Sequence, residues 1–291
     1  MGTIAENLNT LYDVKENIKT AIENKGVAVG EVPFNEYAQK IDEISVGGGD
    51  CEGVLEIQPY SNVGSQFTYK LFYGSFNNTV INCQALTTLE RMFYWSQFGE
   101  NTIPNIINTN RVTSTYGMFE NAVIHTAPMF DTSSVNTMER MFWESQIESI
   151  PQYDTSNVTN MRTMFVYCRN LTAIPEINTK NVENVDNMFY GCNNLTTIPL
   201  LDFTSVSKFS YTFEECSSLT NLGGFKGLHR TLDLSCSNLI TRESMLNVFE
   251  NADVIYDGSY ITVSKTVYNK LSEEDIAIAT NKGWTISIML N

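Results

Sequence analysis

Five times between Val112 and Phe213 the chain writes one phrase, in which a valine is followed at three-residue steps by two further positions and then at once by phenylalanine. Val135-Met138-Met141-Phe142 and Val158-Met161-Met164-Phe165 are the fullest copies. Val112-Thr115-Met118-Phe119 and Val182-Val185-Met188-Phe189 flank them, and Val206-Phe209-Thr212-Phe213 is a decayed last member. The phenylalanines fall 23, 23, 24 and 24 residues apart. So constant a period is the signature of stacked repeats, each too small to bury its own apolar face, and not of an enzyme core. Leu86-Leu89-Met92-Phe93 is an imperfect first frame, so Phe93, Phe119, Phe142, Phe165, Phe189 and Phe213 are the expected repeat core.

Val158, Met161, Met164 and Phe165 suit one stripe of a short helix, with Asp154-Thr155-Ser156-Asn157 ahead of it to accept from its first N–H groups. Cys168-Arg169-Asn170-Leu171 then turns the chain, and Leu171 to Ile174 alternates like a short strand until Pro175. The expectation is an α/β repeat solenoid: leucine-rich-repeat-like coils of short strand plus short helix, with an N-terminal helical segment and an α+β C-terminal cap.

The chain divides accordingly into a helical segment at 1–46, a glycine linker at 47–50, an N-terminal cap at 51–85, the repeats at 86–222, and a last partial coil with its cap at 223–291. In the leading segment Ile4, Leu8, Leu11, Ile18 and Ile22 form an apolar stripe on a helix too small to stand alone, which points to self-association or docking. In the cap, Met245 and Phe249 with Ala252 echo a repeat. Asp257-Gly258 suggests a hairpin turn into Tyr260-Ile261-Thr262-Val263. Ser272 with Asp275 caps a further helix, which Gly283 stops before Trp284 to Ile288.

Charge narrows the partners. With 33 acidic against 18 basic residues and a net charge of −15, the chain repels nucleic acid, and no run of Lys or Arg relieves this. No stretch approaches the roughly 18–20 apolar residues that span a bilayer, and the first residues lack the basic-then-apolar layout of an export signal. Neither membrane insertion nor export is therefore expected. Cys168, Cys192 and Cys216 each sit three residues after the repeat phenylalanine, where other repeats place Ser96, Ala122 and Ser145. Interchange with Ser and Ala marks a tight buried slot and a free thiol, although stacking would not forbid a disulfide.

Catalytic patterns are not found. His125 and His229 are the chain's histidines, and neither has a nucleophile or carboxylate at a recognisable catalytic spacing. Asn108, Asp131, Asp154, Asn178 and Asp202 share one slot in successive repeats. Such a column could hold calcium, but each residue precedes a turn, and turn or cap duty is the expected role. No metal and no cofactor is expected. Tyr94, Trp95, Trp143, Tyr167 and Tyr190 occupy the slots just after the repeat phenylalanine, where partial exposure would make them a contact surface for a protein or a glycan.

The segments QYDTSNVTNMRTMFVYCRNLTAIP and LTAIPEINTKNVENVDNMFYGCNNLTTIP resemble the repeat of BspA-like leucine-rich-repeat surface proteins, over about residues 86–222, as does KLSEEDIAIATNKGWTI a closing segment common on such repeats. The resemblance implies a curved repeat body with roles in adhesion or host contact. LYDVKENIKTAIENKGVAVGEVPFNEYAQKIDEI is similar to short N-terminal modules on bacteriophage virion proteins, tail and fibre proteins especially. That second likeness implies assembly onto a particle in the host cytoplasm, with no need of an export signal.

The functional expectation is a non-enzymatic phage virion structural protein, tail, fibre or head-decorating, that presents its repeats for host attachment. Residues 1–46 would join it to itself, as a homotrimer, and to other virion proteins. A BspA-like adhesin on the bacterial cell surface is the alternative, and a glycan-cleaving fibre, which needs a carboxylate pair in a cleft, ranks third.

Overall fold

A computed structural model describes residues 53–56, 73–74, 79–98, 103–256 and 258–289. The stripe Ile4, Leu8, Leu11, Ile18 and Ile22 lies outside the described residues.

The strands are short: β1 (Gly53–Glu56), β2 (Tyr73–Gly74), β3 (Thr79–Asn82), β4 (Gln97–Phe98), β5 (Asn105–Ile107), β6 (Thr197–Ile198), β7 (Leu201–Asp202), β8 (Asn221–Leu222), β9 (Phe225–Lys226), β10 (Leu232–Leu234), β11 (Tyr260–Ser264) and β12 (Thr285–Met289). They form small separate parallel sheets, in the orders β1-β3-β5, β10-β11-β12, β2-β4, β6-β8 and β7-β9. Helices occupy Arg242–Asn251, Lys265–Tyr268 and Glu273–Thr280, and among the described residues none precedes Arg242. The expected α/β repeat solenoid, leucine-rich-repeat-like with a strand and a helix in every coil, is therefore corrected: separate parallel strand pairs and few helices take its place.

The backbone shows why no helix forms at Val158–Phe165. The residues two before and two after each repeat phenylalanine are left-handed, among them Arg140 (φ 59°), Glu144 (φ 54°), Thr163 (φ 55°), Tyr167 (φ 56°), Asn187 (φ 55°) and Gly191 (φ 72°). A left-handed residue every fourth position cannot continue a right-handed helix. The three-residue apolar spacing is satisfied instead by consecutive tight turns, with Val158 N–H donating to Thr155 O, Met164 to Met161 O and Cys168 to Phe165 O. The alternate N–H groups leave the segment: Met161, Thr163, Phe165 and Tyr167 donate to Asn184, Asp186, Met188 and Tyr190 carbonyls of the following repeat. Every backbone donor that a helix would satisfy internally thus has another acceptor. Isolated parallel bridges mark the same relation, from Thr88↔Ser114 through Ser114↔Thr137, Thr137↔Asn160 and Asn160↔Asn184 to Asn184↔Lys208.

The interior is a column of rings. Phe93–Phe119, Phe119–Phe142, Phe142–Phe165, Phe165–Phe189 and Phe189–Phe213 stack with centroids 5.2, 5.5, 5.6, 5.5 and 5.6 Å apart. All six are essentially fully buried, and each contributes about 2–3 kcal/mol by leaving water. Beside them Cys168, Cys192 and Cys216 are free and fully buried, their thiols donating to Phe142, Phe165 and Phe189 carbonyls at 2.9, 2.9 and 3.0 Å.

At the C-terminal end, Thr241 caps the helix Arg242–Asn251, which buries Met245, Val248 and Phe249. Ser272 and Asp275 complete a capping box on Glu273–Thr280. Gly283 (φ 91°) turns the chain into buried Trp284. The hairpin expected at Asp257-Gly258 does not form: Asp257 lies outside the described residues, and β11 pairs in parallel with both β10 and β12.

Candidate contact surface

The slots just after each repeat phenylalanine lie beside the left-handed residues that turn the backbone around every buried ring, and most of them reach the surface, Glu120, Val166 and Gly191 excepted. Residues one after the ring are Tyr94, Glu120, Trp143, Val166, Tyr190 and Glu214; those two after are Trp95, Asn121, Glu144, Tyr167, Gly191 and Glu215. The five aromatic residues named from the sequence all lie here. Trp95 is 51% exposed, and Tyr94, Trp143, Tyr167 and Tyr190 are half-buried.

They form three groups. Tyr94 and Trp95 meet edge to face at 6.3 Å. Tyr167 and Tyr190 do so at 5.4 Å, with the Tyr190 hydroxyl donating to Glu215 Oε1 at 3.0 Å. Side-chain hydrogen bonding to Tyr167, then to Glu215, pushes the Tyr190 phenol well above its ordinary range. Trp143 stands apart and donates from Nε1 to Glu144 Oε1 at 2.9 Å.

Arginine is the partner that the sequence reading missed. The Arg140 guanidinium lies 3.8 Å from the Trp143 ring centre, Arg91 lies 5.3 and 5.4 Å from Tyr94 and Tyr116, and Arg169 lies 5.3 Å from Tyr167. Such contacts hold a ring face while leaving its edge available. Arg91 and Arg140 occupy the same left-handed slot two residues before Phe93 and Phe142, which was the available signal. Between them sits Glu120, whose side chain is 4% exposed; Arg140 Nη2 reaches its Oε1 at 2.6 Å and Arg91 Nε its Oε2 at 3.6 Å. The carboxylate ties three successive repeats together beneath the aromatic face.

The other singled-out residues go elsewhere. Asp131, Asp154, Asn178 and Asp202 each accept through Oδ1 from the N–H two residues on, at 2.9, 2.9, 3.1 and 3.1 Å, so their column makes side-chain turns. The Asn108 amide donates to Asn82 Oδ1 at 2.9 Å. Hydrogen bonds from the Ser133 and Ser156 side chains, then from their backbone N–H groups, hold Asp131 and Asp154 below the usual carboxylate range. Among the described residues no group of three His, Cys, Asp or Glu side chains converges as a metal site requires. His125 Nδ1 lies 2.8 Å from Glu148 Oε1, a carboxylate one repeat further along, with both side chains substantially exposed. His229 Nδ1 lies 2.8 Å from Gly227 O. No described helix is long and apolar enough to cross a membrane.

A family model described as "Mycoplasma protein of unknown function, DUF285" matches residues 67–148 and again 123–225, which together span more than half of the chain. No curated protein and no solved structure matches it.

Proposed function

This chain belongs to the family described as Mycoplasma protein of unknown function, DUF285, and we propose that it is a non-enzymatic attachment protein whose repeats present an aromatic and arginine face to a partner surface. The observation that carries this reading is the arrangement of Trp143 on Arg140, with Tyr94, Trp95, Tyr167 and Tyr190 along the same face. Rings clamped by guanidinium groups bring rigid contact area at little further entropic cost, the quality that marks binding residues at protein interfaces. The partner is a host surface protein or glycan.

Two carriers fit the reading. The likeness of the leading residues to virion modules supports display on a phage particle, with residues 1–46 joining the chain to its own copies, as a trimer, and to other virion proteins. The family match, to a model that covers BspA-like surface repeats, favours a second reading as a bacterial cell-surface adhesin. Antibody against the chain separates them: labelling of purified particles supports the first, and labelling of intact bacteria the second.

The attachment reading is tested by flow cytometry of the labelled full chain on panels of intact bacterial and animal cells, beside a variant carrying Trp95→Ala, Trp143→Ala and Tyr167→Ala. Saturable binding that the variant loses by about tenfold or more supports it. Equal binding by both chains would remove the aromatic face from the proposal.

A further inference from the structure

In every repeat from Phe93 to Phe189 four alternate N–H groups donate to the next repeat. At the last junction they come from Val185, Asn187, Phe189 and Gly191, which reach Lys208, Ser210, Thr212 and Glu214 carbonyls at 3.0, 2.8, 3.0 and 2.9 Å. The equivalent donors one repeat later are Phe209, Tyr211, Phe213 and Glu215. Among the described residues none of these four N–H groups has an acceptor. The chain has by then left the pattern, passing to β8 and β9 and then to β10.

What faces the unused edge is a cleft of about 490 Å³, lined by Phe209 to Glu214 on one side and by Thr231, Leu232, Asp233 and Tyr260 on the other. That volume lies in the range of ligand sites, and not of packing defects. Tyr211 and Tyr260 stand at it 65% and 46% exposed. Its charged lining residues are Glu214 and Asp233, with no Lys, Arg or His among them. Asp233 is exposed and accepts through Oδ1 from the Ser235 N–H at 2.8 Å.

We propose that this cleft binds an extended basic segment of a partner protein, whose alternate carbonyls accept from the Phe209, Tyr211, Phe213 and Glu215 N–H groups and so supply the missing neighbour. Main-chain donors at two-residue spacing call for a strand-like acceptor, as in strand addition at a sheet edge. Glu214 and Asp233 select Lys or Arg side chains on that strand, and Tyr211 and Tyr260 cover its apolar stems. The site adjoins the aromatic and arginine face, whose Tyr190 hydroxyl donates to Glu215 Oε1, but rests on the unused N–H groups and not on that face.

The test is hydrogen exchange of the full chain, followed by NMR, with and without a blocked peptide of alternating Lys and Val. Exchange at Tyr211 and Glu215 is expected to slow by about tenfold or more on saturation, while the Gly191 amide, already bonded, stays unchanged. The Glu-Val counterpart leaves all of them unaltered. Glu214→Lys with Asp233→Lys weakens peptide binding by about tenfold or more, at an unchanged thermal midpoint. No slowing at about 1 mM Lys-Val peptide, or slowing confined to other amides, overturns the proposal. So does slowing by a chitin hexasaccharide in place of the peptide, or protection in the free chain that disappears on dilution, which would make the occupant a second copy.

Discussion

Arg140 and Glu120 lie one repeat apart in sequence and 2.6 Å apart in space, with the carboxylate buried and the guanidinium a quarter exposed. Removing either partner has unequal consequences. Arg140→Ala leaves Glu120 facing Arg91 alone, at 3.6 Å, and a buried carboxylate that loses its strong donor costs about 2–3 kcal/mol. Glu120→Leu leaves two arginines whose side chains are 42% and 25% exposed, although the Arg91 Nε is itself shielded from water, and costs about 1 kcal/mol, less than the loss of Arg140. Urea unfolding midpoints of the two variants separate these outcomes; equal losses would contradict the asymmetry.

Gly191 and Glu144 occupy the same left-handed slot in different repeats, with φ of 72° and 54°. A Cβ at Gly191 would stand 2.2 Å from Tyr167 Cδ1. Gly191→Ala is therefore expected to lose about 1–2 kcal/mol from the backbone, with further loss from displacing the tyrosine ring. Glu144→Asn places a residue tolerant of that conformation at an exposed position, and relief of about 1 kcal/mol of left-handed strain outweighs loss of the exposed hydrogen bond from Trp143 Nε1, for a gain of about 0.5 kcal/mol. Thermal midpoints moving in opposite directions are the expected result.

Those slots also explain how far the sequence was legible. The phenylalanine spacing led directly to the interior ring column, and Ser272 with Asp275 to the capping box. Val158-Met161-Met164 misled because a strict three-residue step fits a helix stripe and a run of tight turns equally well. What distinguishes them is the residue between: Gly117, Asn121, Asn187 and Gly191 recur at the flanking slots, and Gly and Asn are the residues that accept left-handed backbone. Pairs such as Arg140 with Glu120 and His125 with Glu148 are invisible to local motifs but lie about one period apart. The Asp257-Gly258 reading failed because a turn dipeptide says nothing about which strand the chain joins next, and here β11 joins β10 and β12 in parallel.

Cys83, Cys168, Cys192 and Cys216 give the fold an alkaline limit. Burial pushes the Cys83 and Cys168 thiols from 9.0 up to about 11 and about 12, and raises Cys192 and Cys216 as well. A group whose folded pKa is raised stabilises fully below its unfolded pKa, and that stability is lost as pH rises toward the folded value. Stability is thus expected to be flat with respect to these thiols below pH 9 and to fall between about pH 9 and 12, by up to about 1.4 kcal/mol per pH unit for each thiol. Replacing Cys168 and Cys216 by Ser, the residue native to that slot at Ser96 and Ser145, should flatten the decline. An alkaline limb of unchanged slope would show that these thiols do not set it.

Lys282 finishes a helix that has no basic residue in its own last turn. Its Nζ donates to Phe249, Glu250 and Ala252 carbonyls at 3.0, 2.7 and 2.8 Å, meeting the carbonyl end of Arg242–Asn251 where the helix leaves acceptors unpaired. Those carbonyls belong to the segment that buries Met245 and Phe249 and packs against β8 and β9. Lys282→Met keeps the aliphatic stem and removes the donor, so it is expected to cost about 1.5–3 kcal/mol, with Lys282→Arg restoring part of the loss. Exchange at the amides of Val248 and Ala252 should quicken in Lys282→Met before that of Phe165 or Phe189, because the end of the array opens before its middle. Simultaneous quickening along the whole column would mean that the lysine supports the array as one unit and not its end alone.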